Sequence, residues 1–377
     1  MTSRMTKEDS KFISVFEPTV TLKDKVSVLK SLNKKDISGS SSTIQEFEDI
    51  ISRQFDRKYA VSVSNGSVAL DLALNVFNFD KNDEIIVPSF TIISCLSAII
   101  RSGGKPIFCD VDINSWNMTL DNVKKVFNKN TKAILMVHTY GLTSEASEIR
   151  QFSNDNGLIL IEDTAEAHGQ TYNNIKCGSF GDVSTLSFYA NKHITTGEGG
   201  MVLTDDEEIY KSLIQMRNLD FKSKTRFQHD NLYWNYRLGG LQAALGISQS
   251  KNLKRVIENK IRQGHIYDEF LSEVNQIILP LKNTNTSKNH YWVYGIVLKE
   301  KNRDELQNYL LHYGIQTRKF FWPLHLQNAL PIEFKTNETL SISENLGSNG
   351  LYLPIGDHIN KKDQEFIANK IKSFFIE

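Results

Sequence analysis

The chain has 377 residues, 40% of them hydrophobic, which is enough to bury a full core in one large domain with a smaller companion. Lysine plus arginine equals aspartate plus glutamate, 44 against 44. That balance excludes a chain-wide field that would gather nucleic acid or an anionic membrane, and it leaves small molecules as the default partners.

Three dispersed cysteines, Cys95, Cys109 and Cys177, have no CxxC spacing and cannot complete a disulfide framework, so a reducing compartment and no metal centre are expected. Met1 to Lys30 lacks a basic start followed by an apolar run. The longest oily stretch, Ile92 to Ile100, contains Ser94, Cys95 and Ser97 and is too short to span a bilayer. A soluble cytoplasmic protein is expected.

In chain order, Ser38-Gly39-Ser40-Ser41-Ser42 reads as a mobile loop or a turn near a ligand. From Tyr59 to about Asp205, short β-branched runs alternate with helix-like stretches. The runs are 60–63, 85–87, 106–108, 133–137 and 158–161, followed by Ser184 to Tyr189 and 201–203. This pattern predicts an α/β domain with a mostly parallel central sheet. After Arg217 come a polar loop, a helix from Leu238 to about Gln249 and a long charged helix from Lys254 to about Val274. The strand Tyr291 to Leu298, the helix Asp304 to Tyr313 and a closing helix from Lys362 to Phe375 make a smaller α+β domain. The expected boundary gives a large domain over 1–255, with an amino-terminal segment 1–45, and a small carboxy-terminal domain over 256–377.

Three segments carry chemistry. Ser64-Asn65-Gly66-Ser67-Val68-Ala69-Leu70 follows a strand and opens a helix. It reads either as plain N-capping by Asn65 or Ser67, or as a phosphate cradle made from unpaired first-turn amides and the helix dipole. In 158–169, Glu162, Asp163 and Glu166 lie at the carboxyl end of a buried strand. An acid there either caps a helix or, at the ligand edge of an open parallel sheet, holds a pyridine nitrogen protonated. In 187–200, Lys192 follows a strand and precedes a glycine cluster. It is either a solvated loop lysine or, if partly desolvated, an amine able to form a Schiff base with an aldehyde.

Taken together in this order, Asn65-Gly66-Ser67, Glu162-Asp163 and the Ser187 to Gly200 block resemble the DegT/DnrJ/EryC1/StrS family of sugar aminotransferases. The resemblance runs from Ile37-Ser38-Gly39 through Thr317-Arg318. It implies the aspartate-aminotransferase-like fold (fold type I), with pyridoxal 5'-phosphate (PLP) as cofactor in the large domain. By the same resemblance Lys192 would carry the cofactor and shuttle a proton, and Asp163 would pair with the pyridinium nitrogen. Glu166 stands where the family has Gln or Glu near the ring hydroxyl. Gly66, Ser67 and Ser187 would hold the phosphate together with Asn235 of a neighbouring subunit, which implies a homodimer with shared sites. Two positions depart from the family: Ile92, or else Phe90, stands in for the usual aromatic on the cofactor ring, and Asp36 replaces a Trp. His193 matters because a dehydratase branch has His at the lysine position, but register from Gly197 puts Lys192 there.

Arg318, Trp322 and His325 resemble the family's carboxy-terminal hallmark, where Arg318 would bind an anionic group and the other two would line a sugar pocket. The other reading is a surface basic pair beside core aromatics. The implied partners are L-glutamate and a keto sugar. The Asn191-Lys192 and Thr195 to Gly200 wording favours a nucleotide-linked 4-keto-6-deoxyhexose, as in the perosamine-forming branch, over free 8-keto-3-deoxy-octulosonate. Either product would feed lipopolysaccharide or other surface polysaccharide. The alternative from another class is a PLP-binding regulator without turnover.

Overall fold

A computed structural model describes residues 12–222, 224–300 and 302–376. Residues 1–11 of the amino-terminal segment 1–45 therefore lie outside the described residues. The chain opens with α1 (Leu22–Asn33) and α2 (Ser42–Gln54) and then alternates β1 (Tyr59–Val63), α3 (Gly66–Asn75), β2 (Glu84–Pro88), α4 (Ile93–Arg101), β3 (Lys105–Cys109), α5 (Leu120–Val126), β4 (Thr131–Val137), α6 (Ala146–Asp155) and β5 (Ile159–Asp163). A hairpin, β6 (Thr171–Tyr172) and β7 (Ile175–Lys176), precedes β8 (Val183–Ser187), β9 (Gly200–Thr204), α7 (Glu207–Arg217), α8 (Gly240–Ser250) and α9 (Leu253–Leu271). The last part holds β10 (Ile277–Ile278), β11 (Tyr294–Leu298), α10 (Arg303–His312), β12 (Arg318–Lys319), α11 (Ser341–Asn349), β13 (Gly350–Leu353) and α12 (Lys361–Ile376).

The seven-stranded sheet has the order β1-β9-β8-β5-β4-β2-β3, and β9 alone runs against the others. Its strands are buried on both faces, as a parallel sheet covered by helices requires. Residues Ile85 and Val87 pack with Leu135 and Val137 toward α3 and α4, while Ile86, Ile134 and Met136 pack on the other face. A third cluster joins β8 and β9 to α2 and α8 through Phe47, Ile51, Leu186 and Met201. In α2, Ile44, Phe47 and Ile51 recur at helical spacing and are buried, each stabilising the fold by roughly 1.5–3 kcal/mol. Gly246 of α8 lets the two helices meet, since a Cβ there would lie 2.5 Å from the Phe47 ring.

The four-stranded sheet, β10-β11-β13-β12, is antiparallel throughout and shares a core with α9, α10 and α12. Helix α9 crosses the sequence-expected boundary at residue 255, and its carboxyl half supplies Tyr267 and Leu271 to the small-sheet core. No helix among the described residues is long and apolar enough to cross a membrane.

Two strand limits differ from expectation, and both differences shape the site. Strand β8 stops at Ser187, because beyond it only Tyr189 pairs, as a single bridge to Gly197, and the intervening chain turns out of the sheet. Strand β11 starts at Tyr294 because Tyr291 has a positive φ of 48° and its amide donates to Asn289 Oδ1 at 2.7 Å. The serine-rich segment near Gly39 is a turn packed on Arg237 and Leu238, where a Cβ on Gly39 would lie 2.7 Å from the Arg237 Cβ. Asp36 caps the start of α2 through Ser42, the Thr43 amide and the Thr43 hydroxyl.

Candidate active site

The carboxyl edge of the large sheet carries the site, as the geometry of open α/β sheets leads one to expect. Strand β5 ends in two acids that the pleat sends to opposite faces. Glu162 is fully enclosed and accepts from the amides of Gly178 (2.6 Å), Phe180 (2.9 Å) and Gly181 (3.0 Å) and from Ser184 Oγ (2.9 Å). His138 Nδ1 accepts from the Ser144 amide, so its Nε2 carries the proton and donates to Glu162 at 3.0 Å. His138, Glu162 and Cys177 keep three potential metal donors within 4.8 Å of one another, but both Glu162 oxygens are already taken. Asp163 instead faces a cavity of about 510 Å³. It accepts from the Ala165 amide at 3.0 Å and Thr185 Oγ1 at 3.3 Å, with Cys95 Sγ at 3.6 Å.

Lys192 enters the same cavity from the loop after β8. The Tyr189–Gly197 bridge closes that loop, Gly197 takes a φ of +81°, and the Lys192 amide donates to the Tyr189 carbonyl at 2.9 Å. The Lys192 side chain is only 10% exposed, and its Nζ lies 3.5 Å from Glu166 Oε1. Glu166 is held in turn by the Tyr140 amide at 3.0 Å.

The start of α3 forms a third wall. Asn65 does cap the helix, accepting from the Val68 amide at 3.0 Å, so the capping reading holds for that residue. The rest of the turn stays open to the cavity, with Gly66, Ser67 and Ser187 all lining it. Gly66 must be glycine here, because a Cβ would meet the Ser187 Cβ at 2.7 Å. Ser67 Oγ pairs with Ser94 Oγ at 2.7 Å. A helix amino terminus beside two hydroxyls suits a phosphate. A buried acid and a buried amine complete a donor set that fits PLP in size and chemistry.

Of the residues singled out from sequence, Gly66, Ser67, Asp163, Glu166, Ser187, Lys192 and Arg318 line this one cavity. Asn235 does not; it is exposed, and its Oδ1 accepts from Arg237 Nε at 2.8 Å. Trp322 and His325 do not line it either. Trp322 is 46% exposed, and its indole donates to the Leu326 carbonyl. His325 is buried between Ser89 Oγ at 2.6 Å and Glu344 Oε1 at 3.2 Å, where it pins the segment after β12 to the end of β2. Ile92 lines the cavity, whereas Phe90 is sealed in an aromatic cluster with Tyr140, Phe320 and Phe321. His193 turns away into a buried space behind Lys192. Trp292, Tyr352 and Phe321, which sequence reasoning missed, reach the cavity from the small-sheet side. Their only sequence signal is an aromatic-rich strand flank, which reads equally well as core.

The sequence profile of the DegT/DnrJ/EryC1/StrS aminotransferase family matches residues 20–372. The chain belongs to that family. It is 34% identical over 366 residues to the GDP-perosamine synthase of Escherichia coli O157:H7, covering 97% of this chain and 99% of the relative. Among solved structures, Helicobacter pylori PseC, an aminotransferase involved in the biosynthesis of pseudoaminic acid, superposes with a TM-score of 0.90 at 26% identity, over 97% of this chain and 99% of that one. The E. coli GDP-4-keto-6-deoxy-D-mannose-3-dehydratase with bound hydrated PLP gives 0.87 at 25% identity, over 95% and 98%. The protein is thus a PLP-dependent aminotransferase of the sugar-aminotransferase family, with the α/β fold of that group.

The electrostatics of this aminotransferase suit a site that moves protons. Burial pulls the Lys192 amine below its ordinary value, opposed by Glu166 and Asp163. Burial pushes Glu166 up to about 7 against the pull of Lys192 and the Tyr140 amide, and it raises Asp163 against the Ala165 amide and Lys192. Burial, with Lys192 nearby, pushes His168 down to about 3 and keeps it neutral. Burial thus shifts both acids and the amine toward their neutral forms.

Proposed function

We propose that this aminotransferase moves the amino group of L-glutamate to a nucleotide-linked 4-keto-6-deoxyhexose, supplying an amino sugar for surface polysaccharide assembly in the cytoplasm. The observation that carries the reading is that Lys192 and Asp163 meet in one cavity bounded by the open turn of α3. The bound cofactor supplies an electron sink for a carbanion at the substrate carbon. Lys192 would hold the cofactor through its ε-amine and would supply the base that moves a proton at the substrate carbon. Asp163 would keep the pyridine nitrogen of the bound cofactor protonated, Glu166 would serve its ring hydroxyl, and Gly66, Ser67 and Ser187 would hold its phosphate. Arg318, also on the cavity wall, binds an anionic group of donor or sugar.

In this reading the large domain, 1–255, holds the cofactor, and the small domain, 256–377, supplies the facing wall of the cavity through Trp292, Arg318 and Tyr352. Asn235 stands on an exposed loop beside Trp234, which is 68% exposed, and Leu232, which is 99% exposed. That loop is suited to enter a second subunit, so the working form is a homodimer in which each Asn235 reaches the other chain's phosphate. Transamination is favoured over dehydration because an amine, not the His193 imidazole, faces the cavity.

The test is a pair of half-reactions. Glutamate should convert the visible absorption of the bound cofactor to that of its aminated form. One of GDP-linked 4-keto-6-deoxyhexose, its dTDP-linked counterpart or free 8-keto-3-deoxy-octulosonate should then restore it. Restoration by the octulosonate alone would overturn the substrate assignment. Cofactor bound with no response to any amino donor would sink the transaminase reading in favour of a PLP-binding regulator.

A further inference from the structure

Glu166 is not the only group that holds the ε-amine of Lys192. The Lys192 nitrogen lies 3.8 Å from the centroid of the Trp292 ring. That indole is 5% exposed and lines the same cavity. It arrives from the other half of the molecule, two residues before β11 of the small sheet. Both of its ends are tied down. The indole Nε1 donates to the carbonyl of Asn191, the neighbour of Lys192, at 3.0 Å. Its backbone carbonyl accepts from Lys260 Nζ of α9 at 2.8 Å. Gly141 allows the Trp292 backbone to approach, since a Cβ there would stand 2.7 Å from the Trp292 backbone nitrogen. Among the described residues, no other tryptophan ring lies beneath a cation.

An amine that carries a proton between two carbons must exist briefly as an ammonium in a dry site, and burial opposes that state. Glu166 stabilises the charge but also competes for the proton and holds it in one direction. An aromatic face attracts the charge without accepting the proton and without a directional bond. We propose that Trp292 is a positioning residue for Lys192, holding its ammonium over the cavity between removal and return of the proton. The inference rests on reading Lys192 as the proton carrier. The groups facing that amine are Asp163 and Glu166 at the end of β5, His168 beyond them, His193 beside it and Lys260 from α9. Because the Trp292 ring also shields the amine from water, the variants that keep a ring at this position carry the comparison.

The test follows the amine itself in the apoprotein. Trace acetic anhydride labels only the neutral amine, so its rate on the Lys192 peptide, read by mass spectrometry across pH, reports where Lys192 loses its proton. Loss of the ring in Trp292→Leu should lower that pH by about one unit, so that tenfold more of the amine is neutral at a given pH. Trp292→Phe, which keeps a weaker ring, should recover about half of the shift. Protein grown on fluorotryptophan keeps the shape of the ring while drawing charge from its face, and it should show a shift of the same sign. This arm decides the question if Trp292→Leu does not fold. Titration unchanged in both the Phe and the fluorotryptophan proteins overturns the proposal. If Lys192→Ala still forms a borohydride-reducible link with PLP, the reading of Lys192 itself fails, and the labelling result has no bearing on that outcome.

Discussion

Glu162 and Asp163 are consecutive residues of one strand, yet the regions on either side of them work differently. On the Glu162 side, burial pushes the carboxyl up, but His138 and the surrounding amides outweigh it and leave the group below its ordinary value. On the Asp163 side, Asp163 and Glu166 have fewer donors, burial wins, and both groups sit above their ordinary values. Complete burial is common to both. The number of donors supplied by the fold decides which carboxylate is an anchor and which remains available for chemistry.

Substitutions on the two sides should therefore separate activity from stability. Lys192→Ala should reduce transamination by roughly 10³–10⁴-fold while leaving the melting temperature near that of the parent, as read by turnover and thermal unfolding together. Asp163→Asn should lower turnover by about 10²–10³-fold, since a neutral amide no longer favours a protonated ring nitrogen. A turnover loss below tenfold would remove Asp163 from the proposed role. Across the strand, Glu162→Ala leaves the buried donors of His138, Ser184 and three amides unpaired. It should cost about 3–5 kcal/mol of stability in denaturant unfolding, and activity should fall only through unfolding. A variant as stable as the parent would break the contrast.

The large-sheet side of this comparison was legible from sequence because it is local. Strand, turn and helix signals place Gly66, Asp163 and Lys192 at or just beyond the carboxyl ends of three strands, β1, β5 and β8, of a mostly parallel sheet, and that fold brings such ends to one edge. The small-sheet side was not legible in the same way. Arg318 was found, but for Trp322 and His325 the chain left a sugar pocket and a core position equally open, and His325 satisfies both ring nitrogens with Ser89 and Glu344. Trp292 was missed because an aromatic inside the expected strand Tyr291 to Leu298 reads as ordinary core, whereas the turn at Tyr291 takes it out of that strand and its ring lies against Lys192. Long-range packing across 101 residues, which joins Trp292 to Asn191, leaves no periodic trace in the chain.

The smallest expected effect tests the poised side directly. Glu166 sits at about 7 in the folded apoprotein, against about 4.5 when unfolded, because burial disfavours its charge. Between those values the folded state binds a proton that the unfolded state has released. Its contribution to stability is therefore fully present below about pH 4.5 and is lost as pH rises to about 7. His168, pushed down to about 3, acts with the opposite slope and cancels in the difference between parent and variant, which reports Glu166 together with the Lys192 amine it faces. Glu166→Gln removes this titration. Its unfolding free energy, measured by denaturant titration from pH 4.5 to 8, should fall by roughly 1–3 kcal/mol less than that of the parent. Parallel curves would mean that Lys192 holds Glu166 as a carboxylate throughout, making the two sides of β5 electrostatically alike.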